Sequence, residues 1–380
     1  MNARDFQRTM PEAGEHLRRR PGLWSYTRLD GWLLALLLIL CGVGLLILYS
    51  ASGQDMGYVS RQAVRMAAGF LVMIVLARMS PRFIGRWAIW FYVAGVALLV
   101  AVLLFGVGAK GAQRWIALPG FRFQPSEIMK LALPLMLAYY LANRPLPPRM
   151  KHIFISLVLV GMPTVLIMKQ PDLGTSLLIA ASGIFVLLFS GILWRYVFAA
   201  LGLAAAALPG LWMVMKDYQK QRVLTFLDPE SDPLGSGWNI IQSKTAIGSG
   251  GVTGKGWLHG TQSQLDFLPE SHTDFIIAVV AEELGLVGVL ALLLLYLLII
   301  ARGLMIAVNA QDCFGRLVAG SVTLTFFVYV FVNIGMVSGL LPVVGVPLPM
   351  VSYGGTSIVT LMAGFGLLMS VHSHRAMLLR

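Results

Sequence analysis

Residues 32–50 read WLLALLLILCGVGLLILYS, nineteen positions without a charged side chain. About 20 apolar residues in a helix are needed to cross the hydrocarbon of a bilayer, so this run has the length of a membrane span. Further runs of the same kind lie near 62–78, 87–107, 126–142, 153–168, 175–191, 193–214, 274–301, 315–340 and 354–372. Together they predict about ten transmembrane helices. In lipid the backbone polar groups must be satisfied within each segment, which makes the runs helices and the fold class all-α, a polytopic membrane protein. The composition agrees: with 57% hydrophobic and 12% charged residues, 380 residues could not bury so much apolar surface in a soluble core.

Lys and Arg set the orientation, because short loops rich in them stay in the cytoplasm. With cytoplasmic N- and C-termini, that side collects 17 of the 29 basic residues against five acidic ones, and the other side balances at 12 and 12. The net charge of +12 is then a topology signal facing anionic lipid, and nucleic acid is set aside as a partner. Residues 1–28 form a basic cytoplasmic extension, 29–376 the transmembrane domain and 377–380 a cytoplasmic tail. The first apolar run is too long for a cleaved leader and lacks a small-residue cleavage site, so it reads as an anchor in the cytoplasmic (inner) membrane. Cys41 falls inside the first span and Cys313 in an inner loop, which implies neither a disulfide nor a metal cluster.

Two outer segments are long, 108–125 and 215–273. The second is Gly-rich but keeps Trp238, Ile240, Ile241 and Trp257, and is expected to fold over the outer face, partly as short helices. Ionisable residues at the edges of the spans carry the functional reading. Ser126, Glu127 and Lys130 share one face at the start of the fourth span; they form either a working polar patch or a pair that only neutralises itself. Asp274 and Glu282 recur at helical spacing at the start of the eighth, which would set Glu282 about 12 Å deeper, and Asp274 alone also reads as a helix cap. A buried carboxylate suits a general base. Arg61 and Arg65, four apart at the outer end of the second span, suit a diphosphate headgroup, or else snorkel to lipid phosphates. Arg114 and Trp115 stand in the first long loop. His259 and His272 have no partner at metal-ligand spacing, so no metal site is expected. The segment 345–357, GVPLPMVSYGGTS, breaks any helix and must line a cavity or be covered by protein; it is also what a transporter would show.

These motifs, in order, resemble one family. They are Arg114-Trp115, Gln124-Pro125-Ser126-Glu127 with Lys130, Gln170-Pro171-Asp172-Leu173-Gly174-Thr175, Gly248 to Gly288 with His272-Thr273-Asp274-Phe275, and the Pro-Gly segment at 342–357. From about residue 29 onward the chain resembles the shape, elongation, division and sporulation (SEDS) family, its elongation member more than its division member. The resemblance implies a peptidoglycan glycosyltransferase that polymerises lipid II, a disaccharide-pentapeptide on undecaprenyl diphosphate, outside the membrane. It implies as partners a class B penicillin-binding protein and other membrane proteins of the elongation complex. The family's essential Asp falls on Asp274, read as the base; Glu127, Lys130, Ser126 and His272 would shape the cavity. Arg61, Arg65 and Arg114 would hold diphosphate, and Trp115 would stack on sugar. Whether a divalent cation helps the diphosphate leave stays open. A lipid II flippase and a non-catalytic scaffold are the rival readings.

Overall fold

A computed structural model describes residues 29–378 apart from 110–111, 119–120, 216, 218–219, 222–223, 226–227, 229–235 and 265–269. The extension 1–28, residues 229–235 within the long loop, Phe267-Leu268-Pro269 and residues 379–380 of the tail lie outside the described residues. The helices are α1 (Gly31–Ala51), α2 (Met56–Arg78), α3 (Pro81–Phe105), α4 (Pro125–Ala142), α5 (Met150–Lys169), α6 (Leu173–Phe189) and α7 (Trp194–Val214). They continue with α8 (Ser236–Gly250), the single turn α9 (Thr261–Gln264), α10 (Ile276–Val308), α11 (Cys313–Val337) and α12 (Thr356–Leu378). Every apolar run of the sequence coincides with one of them. Their starts are local chemistry: Asp30, Asp55, Ser80, Asp172 and Asp312 each cap a helix through the side chain, satisfying an otherwise unpaired N–H.

Among the described residues, seven helices are apolar enough by length and composition to cross a membrane: α1, α2, α3, α5, α10, α11 and α12. The chain is thus a polytopic, essentially all-α membrane protein. Of the other expected spans, α4 carries Glu127, Lys130 and an internal Pro134, and α6 is 17 residues long. The outer segment before α4 holds the short antiparallel strands β1 (Val107–Ala109), β2 (Ala112–Leu118) and β3 (Phe121–Phe123).

Two apolar clusters organise the bundle. One joins α1, α2, α10 and α12; the other joins α3, α4, α5 and α6, and α11 and α12 contribute to both. The ends of the bundle differ. At one, Asp30 caps α1 and receives two bonds from Arg302 of α10, with His372 of α12 beside it. At the other, hereafter the site end, the irregular stretch 338–355 and the turns at 270–275 meet the start of α2.

Asp274 and Glu282 do not lie on one continuous span: α10 begins at Ile276 and is broken at Gly285, with φ +66° and ψ −164°. That conformation is open to glycine and strained for any residue with a Cβ. Residues 276–284 therefore form a separate short arm. Glu283 at its far end accepts bonds from Ser50, one residue from the end of α1, so the arm stays at the site end.

Candidate active site

Most of the irregular stretch 342–355 is covered by protein, as broken backbone in a membrane must be, with Gly345 and Gly355 exposed. Gln62 of α2 grips it twice, donating to Ser352 O (2.9 Å) and accepting from Gly354 N (3.2 Å). Tyr296 of α10 donates to Pro349 O (2.6 Å), and Asn333 of α11 donates to Val346 O (2.7 Å). The same Asn333 amide also donates to Asp274 O (2.8 Å), tying the Asp274 turn to this stretch. Tyr353 N donates to His272 O (2.8 Å), a second tie. A Cβ added at Gly345 would stand 3.4 Å from Asp274 Oδ2, so the stretch passes close beside that carboxylate.

Around this junction the structure gathers Arg61, Arg65 and His272. Arg61 Nε donates to Tyr353 Oη (3.4 Å), and Arg65 donates to Gly354 O (3.0 Å) while its guanidinium lies 4.7 Å from the centre of the Tyr353 ring. Tyr58 packs at 5.0 Å against both His272 and Tyr353, with the Arg61 guanidinium 4.9 Å above its own ring. Burial pushes the Tyr353 phenol up, but the Arg61 hydrogen bond and the Arg65 charge outweigh it and hold the phenol below the usual tyrosine value. Two guanidiniums against aromatic faces, with donor capacity left over, form a cationic surface suited to oxyanions. Tyr58 and Tyr353 were missed in the sequence. Tyr353 sits within the quoted Pro-Gly segment, and Tyr58 lies three residues before Arg61 on the same helix.

Glu127 and Lys130 form the expected pair at 2.6 Å, with the ammonium 5.1 Å from the centre of the Tyr329 ring. Only one carboxylate oxygen is used. Glu127 is 5% exposed, and its Oε2 and the neighbouring Ser126 Oγ are buried without a hydrogen-bond partner. Such atoms cost free energy unless something else bonds them. Glu127 lies at the head of an apolar groove of about 390 Å³ between α3, α4, α12 and the far end of α2. Thr356, Val359, Thr360, Ala363 and Leu367 supply one wall at helical spacing, and Leu76 and Met79 add to it. Leu76 follows Arg65 by 11 residues, about three turns at 3.6 residues each, so Arg65 and the foot of the groove share a face of α2.

Arg114 and Trp115 sit elsewhere. From β2, Arg114 donates to Gln170 O (3.2 Å) and Pro171 O and approaches Asp172 Oδ2 at 3.6 Å, so its bonds run to the start of α6 and not to the Arg61 cluster. Trp115 is half-buried opposite Val107. Among the described residues no three His, Cys, Asp or Glu side chains converge to hold a metal ion.

Residues 31–377 match the FtsW/RodA/SpoVE family model, described as a cell cycle protein. The chain belongs to this family. Within the FtsW/RodA/SpoVE family it is 58% identical over 356 residues to the peptidoglycan glycosyltransferase MrdB of Escherichia coli K12, covering 93% of this chain and 96% of that one. It is 37% identical over 374 residues to a probable peptidoglycan glycosyltransferase FtsW of Geobacter metallireducens, covering 94% and 98%. Among solved structures, a chain from a peptidoglycan synthase complex that coordinates polymerization and crosslinking superposes with a TM-score of 0.82 at 34% identity, covering 91% and 98%. The rod shape determining protein RodA of Thermus thermophilus follows with 0.70 at 31%, covering 91% and 97%.

Proposed function

We propose that this FtsW/RodA/SpoVE member is a peptidoglycan glycosyltransferase that polymerises lipid II during cell elongation, acting from the outer face of the cytoplasmic membrane. The observation that carries the reading is the face of α2 that bears Arg61 and Arg65 at the site end and Leu76 along an apolar groove, with Met79 just past the helix end. A polyprenyl diphosphate has the same two parts. Its first isoprene units would enter the groove while the rest of the tail stays in lipid, and its diphosphate would meet the guanidiniums.

In the reaction the acceptor sugar's 4-hydroxyl attacks the anomeric carbon of the donor, and the diphosphate departs with the bonding electrons. Asp274, beside His272 and the irregular stretch, accepts the proton from that hydroxyl. Arg61 and Arg65 stabilise the negative charge that grows on the leaving group. The unpartnered Glu127 Oε2 and Ser126 Oγ take hydrogen bonds from the sugar portion, which satisfies them only when substrate is bound.

All ten helical runs cross the membrane in this reading, with both termini in the cytoplasm and the site end outside. The partner is a class B penicillin-binding protein, a reading supported by the likeness to a chain of a synthase complex that also crosslinks. The test is polymerisation of labelled lipid II by the purified protein with its transpeptidase partner inactivated, wild type against Asp274→Asn. Glycan polymer from wild type alone is expected. Equal polymer from both would remove Asp274 from the chemistry, and labelled lipid moved between leaflets without polymer would favour a flippase.

A further inference from the structure

The break at Gly285 sets off the arm 276–284, which begins two residues after Asp274 and packs in the core through Ile276 to Val280. At its far end Glu283 accepts from Ser50, and the neighbouring Glu282 is held more completely still. The Glu282 carboxylate, 0% exposed, accepts from Lys255 Nζ (2.7 Å), Thr261 N (2.8 Å), Thr261 Oγ1 (2.9 Å) and Gln262 N (3.0 Å). Around it the backbone of 251–256 runs beside the break: Lys255 N donates to Glu282 O, Gly256 N to Glu283 O, and Leu286 N to Gly251 O. Glu282 is thus the side chain that fastens the loop before Asp274 to the arm after it, alongside these backbone bonds.

We infer that Glu282 is a positioning residue, closing the chain between Thr261 and Glu282 into a loop of fixed span so that Asp274 is presented to the acceptor hydroxyl. The inference rests on the reading of Asp274 as the base. Asn333 holds the Asp274 carbonyl and Tyr353 N bonds the His272 carbonyl, which fixes the turn itself, while the Gly285 break leaves the arm after it to be set by its packing and by the bonds at its far end. The carboxylate of Glu282 adds to these holds, because an ionised acceptor bonded to an ammonium and two amides joins the loop to the arm in a dry setting. Lys255, 28% exposed, supplies the countercharge that permits this carboxylate to stay ionised there.

The experiment compares Lys255→Met, Lys255→Arg and Glu282→Ala in the full-length protein with its inactivated transpeptidase partner. It reads lipid II polymerisation, lipid II binding, melting temperature and hydrogen–deuterium exchange. Misplacing a catalytic group by about 1 Å costs on the order of 100-fold, so Glu282→Ala is expected to lose roughly that much turnover and Lys255→Met about tenfold. Lipid II binding stays at the wild-type level, Lys255→Arg restores activity, and exchange rises in 262–275 but not in α11 or α12. Lys255→Met keeps the carboxylate with its three other donors, so it tests the inference if Glu282→Ala does not fold. Wild-type turnover in Lys255→Met and Glu282→Ala, or unchanged exchange over 262–275, overturns the inference. Asp274→Asn with wild-type activity alongside raised exchange in Glu282→Ala would instead unseat the Asp274 reading and leave the fastening in place.

Discussion

Glu282 and Glu127 are both buried glutamates at the site end, and the fold treats them in opposite ways. Glu282 is saturated, with four donors from Lys255, Thr261 and Gln262. Glu127 has one partner, Lys130, and one oxygen left bare beside a bare serine hydroxyl at the head of a groove. A buried polar atom without a partner costs about 1–3 kcal/mol, so a fold that keeps one has a use for it. The saturated carboxylate builds, and the unsaturated one waits for a ligand.

The contrast is broken most severely at the helix break that makes the Glu282 arrangement necessary. Gly285→Ala would place a Cβ into Gly254 N and the Val252 carbonyl at a positive φ, with no flexible side chain to yield. We expect it to cost at least about 3 kcal/mol and to remove most folded protein, read as yield and melting temperature in detergent. A wild-type melt would mean that the break is not fixed by these backbones.

Next in size is the Glu127–Lys130 pair. Glu127→Gln strands a buried ammonium and should cost about 3–5 kcal/mol, whereas Glu127→Gln with Lys130→Met removes both charges and should recover much of that. Polymerisation should stay at least about 100-fold down in both. A double variant that melts like wild type and polymerises like wild type would make the pair a neutralised helix end, the bland alternative that its spacing allowed.

Much of this was legible in sequence because it rests on local chemistry. Ten apolar runs predicted ten helices, the Glu127–Lys130 spacing predicted a pair, and the Pro-Gly density of 345–357 predicted irregular backbone. What stayed hidden depends on contacts between segments distant in the chain. Asp274 and Glu282 have helical spacing, but α10 begins only at Ile276, breaks at Gly285 and has Glu283 bonded to Ser50 near the end of α1, so no single span carries both to different depths. The donors to Glu282 come from 20 to 27 residues away, through two backbone amides that any residue except proline supplies. No residue pattern announces such a bond.

A smaller effect separates the arginines. Arg65 stacks on Tyr353 beside the proposed diphosphate position, so Arg65→Lys, which keeps charge but loses the planar fork, should raise KM for lipid II about tenfold. Arg114 spends its bonds on Gln170, Pro171 and Asp172, and Arg114→Lys should change melting more than KM. The reverse ranking would move the diphosphate toward β2.

The smallest effect lies at the opposite end of the bundle, where Asp30 is a third buried carboxylate, saturated like Glu282. Burial pushes its pKa up, but the Arg302 hydrogen bond, the Leu33 amide and the nearby His372 and Arg302 charges outweigh that and hold it below the usual aspartate value. A carboxylate depressed in the folded state favours folding above its ordinary pKa, about 3.9, and loses that contribution as pH falls through the depressed folded value. Asp30→Asn should therefore cost about 1–3 kcal/mol at pH 7, and the gap between its melt and the wild-type melt should close as the pH is taken below about 4. Polymerisation near neutrality should fall only as far as folded protein does, because Asp30 ties α1, α10 and α12 together at the end away from the groove head. Saturation at Asp30 with no effect on turnover, set against saturation at Glu282 with a large one, would show that what matters is not how completely a carboxylate is bonded. It is what its bonds hold in place.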